Sequence, residues 1–360
     1  MKKFITILAA LGASMPFTAY ADEVLSGITV QGEAAFEYNF MSSGGNTYPA
    51  SAGALNEQYR FNSAQVILKK DTDQLSFLAR LMYMPIEVST PGGTSKNSFG
   101  TLDQLEIYYN INAAWSAGFG RLCSTLGFES AMRAENVFYQ NTVAYQSIVP
   151  GYNEGLRLKF NPGEWLAVTL SSYNRSAYNQ YGDEMATTKT TELSATGIAG
   201  RFLWFAGYYA GKDASATIPG SSVAKATTNI WTTYKVSDEF NVSVSYDSRA
   251  QTPDGLSESY AQSLSAQGSY ILGGHTLGLR YESILGAGEM DSLNATVDTF
   301  YPGADKVEVW SVGDKFKLND NLNVYLELRQ DLADQEIMKD SDGGPTDRST
   351  MITLGAIAHF

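Results

Sequence analysis

The sequence predicts an all-β protein, a transmembrane antiparallel up-and-down β-barrel of about 16 strands, and three observations carry that expectation. Apolar and polar residues alternate with period two over most of the chain. Connections alternate between tight turns and long loops. The last segment, Thr350-Met-Ile-Thr-Leu-Gly-Ala-Ile-Ala-His-Phe360, reads as a strand ending on an aromatic residue. Strands cross a membrane only when every backbone group is paired, and closure into a barrel achieves this.

Residues 1–21 read as a secretory leader. Lys2 and Lys3 form its basic start, Phe4 to Ala13 its apolar core, and Ala19-Tyr20-Ala21 a small-x-small cleavage site near Ala21. The apolar run is shorter than the roughly 20 residues of a spanning helix, and no later run reaches that length, so any crossing must use strands. Residues 22–360 read as one barrel, without a Pro-rich or Gly/Ser-rich linker. Loss of Lys2 and Lys3 with the leader takes the formal net charge from −13 to −15, which argues against nucleic acid as a partner. Cys123 is the single cysteine and allows no internal disulfide.

The first strand sets Ile28, Val30, Ala34, Phe36, Tyr38 and Phe40 against Thr29, Gln31, Glu33, Glu37 and Asn39, one face for lipid and one for water. In the second, Tyr59 and Phe61 follow one phase and Ala64, Val66 and Leu68 the other, so a bulge or slip is expected after Arg60. The eleventh sets Phe240, Val242, Val244 and Tyr246 against Asn241, Ser243, Ser245 and Asp247. The fifteenth sets Leu322, Val324, Leu326 and Leu328 against Asn323, Glu327, Arg329 and Asp331.

Tight turns are expected at Asp71–Asp73, Asn112–Ala114, Asn161–Glu164, near Phe202, at Ser237–Glu239, Gly273–Gly274 and Asn319–Asp320, all of turn-forming composition. Long loops are expected near 42–58, 85–101, 122–152, 174–190, 211–226, 250–261, 285–305 and 332–348. Both termini then fall on the short-turn side, which requires an even strand number. Aromatic residues such as Trp115, Trp165, Phe240, Tyr270, Phe316 and Phe360 near the turns, and Tyr38, Phe40, Tyr246 and Trp310 near the loops, suit interfacial girdles.

The connection 122–152, between the fifth and sixth strands, is too apolar for solvent. Phe128, Val137, Phe138, Tyr139, Val143, Tyr145, Ile148 and Val149 need a place to be buried. A lumen of about 16 strands has room for such a segment. The expectation is that it folds inward, with Glu129, Arg133 and Glu135 as candidates for a constriction; packing across the barrel mouth or against a neighbouring subunit is the alternative. Alternation places Arg80, Arg157, Lys159, Arg249, Arg280 and Arg329 in the lumen with Glu33, Glu37, Glu106, Asp247, Glu282, Glu327 and Asp331. Facing lipid near the midplane, an arginine would cost about 2–4 kcal/mol. The candidate lining set is therefore Arg80, Glu106, Glu129, Arg133, Glu135, Arg157, Arg280 and Arg329.

The run Gly118-Phe-Gly-Arg-Leu122, followed by Gly127-Phe-Glu129, Asn136-Val-Phe-Tyr139, Pro150 and Gly155-Leu-Arg157, resembles the central motif of the OmpL-like β-barrel porins of Gram-negative bacteria. The motif covers about 40 residues, and chain length and strand layout agree with it. The resemblance implies an outer-membrane channel for small hydrophilic solutes and ions, in contact with outer-membrane lipid and lipopolysaccharide, without a cofactor. By analogy with general porins it also implies a homotrimer and a constricting fifth-to-sixth connection. Their acidic loop motif, Pro-Glu-[FW]-Gly-Gly, is absent here. In such porins basic wall residues oppose acidic loop residues, and Arg80 and Arg157 facing Glu129 and Glu135 would give that field.

Two other readings stay open. A sugar-type channel would use an aromatic line such as Tyr108, Tyr139, Tyr145 and Tyr325; a plugged structural or adhesive barrel would use its loops. Catalysis finds few groups, since His275 and His359 are the only histidines and neither sits in a triad-like spacing. Asp340-Ser-Asp-Gly-Gly344 resembles part of a calcium loop but lacks the distal Glu, so no metal site is assigned.

Overall fold

A computed structural model describes residues 27–41, 57–83, 87–90, 93–96, 101–174, 189–214, 222–255, 258–287, 301, 304–340 and 344–360. The leader and residues 341–343 of the acidic tip lie outside the described residues. Sixteen strands form one closed barrel, each hydrogen-bonded to its neighbours in chain order, with the last paired to the first. They are β1 (Ile28–Met41), β2 (Glu57–Asp71), β3 (Leu75–Tyr83), β4 (Thr101–Asn110), β5 (Trp115–Cys123), β6 (Tyr152–Gly163), β7 (Leu166–Tyr173) and β8 (Thr190–Ala199). The second half comprises β9 (Phe202–Ala214), β10 (Ser222–Lys235), β11 (Phe240–Pro253), β12 (Ser259–Leu272), β13 (His275–Ala287), β14 (Lys306–Asn319), β15 (Leu322–Ala333) and β16 (Arg348–His359). Two short two-stranded sheets, Glu87–Thr90 with Gly93–Lys96 and Met338–Lys339 with Pro345–Thr346, lie outside the barrel sheet.

Two-sided solvation explains the strands. In β1, Val30, Phe36 and Phe40 are exposed on the outer wall, while Glu33, Glu37 and Asn39 are buried inside. The pattern repeats in β15, where Leu326 and Leu328 face out and Glu327, Arg329 and Asp331 face in. Closure uses the terminal residue: β16 pairs antiparallel with β1, and the backbone of Phe360 exchanges hydrogen bonds of 3.0 Å with Gly32.

The slip expected after Arg60 is a bulge. Ala35 pairs with Ser63 and Phe36 with Phe61, so Asn62 is the extra residue. Its side chain enters the lumen and donates to Glu37 Oε2 at 3.0 Å. A second bulge, between Arg80 and Leu81, leaves Asp103 of β4 as the extra residue. Asp103 accepts from Arg80 Nη2 at 3.0 Å. Both bulges thus bring an additional polar group to an inner-wall charge, a common use of a bulge.

The tight turns occur where turn chemistry predicts them, including the link near Phe202, where Ala199 pairs with Phe202 around Gly200 and Arg201. Two loops are shorter than expected. β9 and β10 stay paired out to Ala214 and Ser222, and β11 and β12 reach Pro253 and Ser259. Ladder hydrogen bonds continue past the apolar layer because water tolerates strands as well as loops there, so loss of hydrophobic alternation does not mark the strand end.

Candidate functional site

The connection from Cys123 to Tyr152 crosses the lumen. It carries a 3-10 turn at Arg133–Glu135 and a short helix, α1 (Val143–Ser147), whose N-cap Thr142 accepts from the Tyr145 N–H. In a closed ring of 16 strands β13 stands opposite β5, and that far wall holds the segment. Arg280 of β13 donates to Glu129 Oε1 at 3.0 Å and to the Gln140 carbonyl at 2.9 Å, and stands 3.5 Å from Glu327. Its guanidinium lies 4.4 Å from the centre of the Phe138 ring.

Wall carboxylates hold the segment by its backbone. Glu33 accepts from the N–H groups of Arg133 and Ala134 at 2.9 and 3.1 Å. Glu282 accepts from those of Val143 and Ala144 at 3.0 and 2.9 Å, satisfying two donors at the start of α1. Glu327 accepts from Gln140 N at 2.9 Å. Glu192 accepts from Ser124 Oγ and from both the N–H and hydroxyl of Thr125. Lys315 donates to the carbonyls of Ala134 and Asn136, and Arg249 to that of Ser147. Irregular backbone buried inside a barrel must have such partners, since each unmet group costs about 1–3 kcal/mol.

Apolar residues of the segment are buried at the same wall. Phe138, Tyr139, Val143 and Ile148 are at most 2 % exposed. Burial of a side chain of that size stabilises by roughly 1.5–3 kcal/mol. Tyr139 lies flat on Gly355 of β16, where an added Cβ would overlap its ring. Tyr301, Ala304 and Met338, from the connections that follow β13 and β15, pack over Val143, Ala144 and Ile148.

The candidate residues fall into two groups. Glu129, Arg280 and Arg329 stand at the far wall. Burial pushes the Glu129 carboxyl above the usual carboxylate range, against the opposing pull of Arg280. Arg329 pairs with Asp331 at 2.7 Å and donates to the Tyr301 hydroxyl at 3.0 Å. Arg80, Glu106 and Arg157 stand on the near wall, on β3, β4 and β6. Arg157 lies 3.8 Å from Glu106 and 3.5 Å from Glu192, and donates to Ser171, to Tyr173 and to the Cys123 carbonyl at 2.5 Å. Arg80 pairs with Asp103 and stacks 4.6 Å from the centre of the Tyr152 ring.

Between the two groups, Arg133 donates to the Tyr139 carbonyl and the exposed Glu135 accepts from Ser130 Oγ. The ion-pair partners therefore differ from the expected field: Glu129 pairs with Arg280, while Arg80 and Arg157 pair with wall carboxylates. Tyr139 and Tyr325 pack edge to face, 5.6 Å between ring centres, and both are buried. Alternation places Glu33 and Glu282 in the lumen, yet sequence reasoning missed them as anchors, and it missed Glu192 altogether. Their signal was a lumen-phase carboxylate with no basic partner on an adjacent strand.

Comparisons with known proteins agree with this architecture. The family described as "Putative beta-barrel porin-2, OmpL-like" matches residues 27–360. The fold is similar to that of the in-vitro folded, trimeric form of OmpT from Vibrio cholerae, at 12% identity and a TM-score of 0.63, covering 92% of this chain and 99% of that one. It is similar to the outer-membrane channel DcaP of Acinetobacter baumannii, at 12% identity, a TM-score of 0.61 and coverage of 92% and 97%. The anion-selective porin from Comamonas acidovorans aligns at 11% identity, a TM-score of 0.60 and coverage of 92% and 99%. No protein of curated function matches the chain in sequence.

Proposed function

We infer that this chain, which belongs to the OmpL-like β-barrel porin family, is an outer-membrane porin for passive diffusion of small hydrophilic solutes and ions. The observation that carries the reading is a closed barrel of 16 strands whose inner wall is charged and whose β5–β6 connection is anchored inside it. A barrel this wide is not filled by its own side chains, and one inward segment narrows it to solute size.

The anchors of that segment fall on β1, β2, β8, β10, β11 and β13 to β16, with Gln65 of β2 donating to the Ala131 carbonyl at 3.1 Å, so the passage is displaced toward β3 to β7. Arg80, Glu106 and Arg157 stand in the wall on that side, buried in ion pairs, and Arg133 and the exposed Glu135 face the passage from the segment. Glu129, Arg280 and Arg329 hold the opposite side. Residues 1–21 act as the export leader, cleaved near Ala21, and the barrel is surrounded by lipid and lipopolysaccharide.

The reading is of a channel and not an enzyme. His275 sits at the periplasmic end of β13, bonded to Asp314 and stacked on Phe316. A homotrimer suits the small outer-wall residues Ala34, Ala117, Ala195 and Ala199, and the OmpT relative is described in a trimer form.

Swelling of liposomes containing the refolded mature protein tests the reading. Monosaccharides should enter quickly and oligosaccharides progressively more slowly; folded protein that admits neither sugars nor salts would overturn it.

A further inference from the structure

A cavity of 600 Å³ opens at the periplasmic mouth, among the β2–β3 and β4–β5 turns and the end of β6. Its polar lining comprises Gln74, Asn110, Asn112, Ser116, Asn161 and Lys159, and Asp73 is its one carboxylate. The volume lies within the roughly 300–1,000 Å³ of small-molecule sites. Amide and hydroxyl groups around a single ammonium are the chemistry of a hydroxylated anion.

Lys159 is held by three strands. On β6 the exposed Leu156 and Leu158 face lipid, which turns Arg157 and Lys159 to the lumen. The Lys159 ammonium lies 3.7 Å from the centre of the Tyr108 ring on β4. That ring lies across Gly118 of β5, where an added Cβ would overlap it, and its hydroxyl donates to Glu106 Oε2 at 3.0 Å. Only glycine leaves room for this platform.

Among the described residues Lys159 forms no ion pair, although the protein carries a formal net charge of −13. Glu106, two strands away on β4, is already engaged by Arg157, Gln104 Nε2 and the Cys123 N–H. The Tyr108 face attracts the ammonium on one side and leaves its other donors to the cavity. That face is also no longer free to stack on a neutral sugar, so the site favours charge over sugar stacking.

We propose that the periplasmic mouth is a binding site for small hydroxylated organic anions, with the carboxylate on Lys159 Nζ and the hydroxyls on the surrounding amides. The proposal rests on the porin reading and gives it a solute class. Gluconate is a suitable probe, with glucose as its neutral counterpart.

Two measurements on the refolded mature protein separate the claims: calorimetric titration with gluconate, which needs no conduction, and single-channel recording with gluconate on the periplasmic side. Gluconate should bind and interrupt the current and glucose should do neither. Lys159→Gln should weaken both effects about tenfold, and Lys159→Arg should retain most of them. Equal gluconate affinity in wild type and folded Lys159→Gln would overturn the site while current steps upheld the porin. Lys159-dependent binding without any current would keep the site and overturn the porin.

Discussion

Arg280 ties three parts of the inward segment to the far wall through Glu129, Phe138 and the Gln140 carbonyl. Removal of one partner from a buried ion pair costs about 3–5 kcal/mol, because the other charges stay buried without compensation. Arg280→Ala should therefore lower the urea midpoint of the detergent-folded barrel by that equivalent. Arg280→Lys should recover only part of it, since an ammonium cannot reproduce the guanidinium fork. A midpoint within about 0.5 kcal/mol of wild type would remove Arg280 as an anchor.

Glu129 adds a pH dependence whose sign follows from its burial. Its carboxyl titrates above the unfolded value, so between the two values the folded state binds more protons. Wild-type stability should fall as pH rises through that window, a trend that Glu129→Gln should lack. Unfolding of both proteins at stepped pH values reads the difference, and parallel curves would contradict it.

At the scale of elements, α1 depends on Glu282, whose two oxygens accept from the Val143 and Ala144 N–H groups. In Glu282→Gln one oxygen becomes a donor. One amide then loses its partner, at about 1–3 kcal/mol. Hydrogen exchange should accelerate across Val143–Ser147 while the barrel ladder stays protected; unchanged protection of α1 would contradict this role.

The β2 bulge gives a second test. Deletion of Asn62 leaves Tyr59, Phe61, Ala64 and Val66 on the outer phase, since Asn62 is the extra residue. Deletion of Ile67 instead turns Leu68 inward and Lys69 toward lipid. The first variant should fold, as judged by heat-modifiable migration, and the second should fold poorly. Equal yields would contradict the assigned register.

At the scale of the whole molecule, the barrel was legible because lipid and water impose a period of two on every strand and the turns carry their own residue chemistry. Strand number, the Arg60 slip and the link near Phe202 all came from those local rules. The strand ends at Ala214 and Ser222 did not, because pairing outlasts the apolar layer. The partners of Glu129 and Glu282 were hidden for a different reason. They meet across the lumen, 151 residues from Glu129 to Arg280 and 139 from Glu282 to Val143, and no periodicity encodes such a contact.

The central claim is that a segment anchored to the far wall narrows an open, 16-stranded pore. Single-channel conductance in a planar bilayer tests it most directly, with the mature protein compared to a deletion of residues 128–148. Stable open steps in the wild type, enlarged by the deletion, are the predicted result. A correctly folded wild type without steps, or steps of the same size after the deletion, would contradict it.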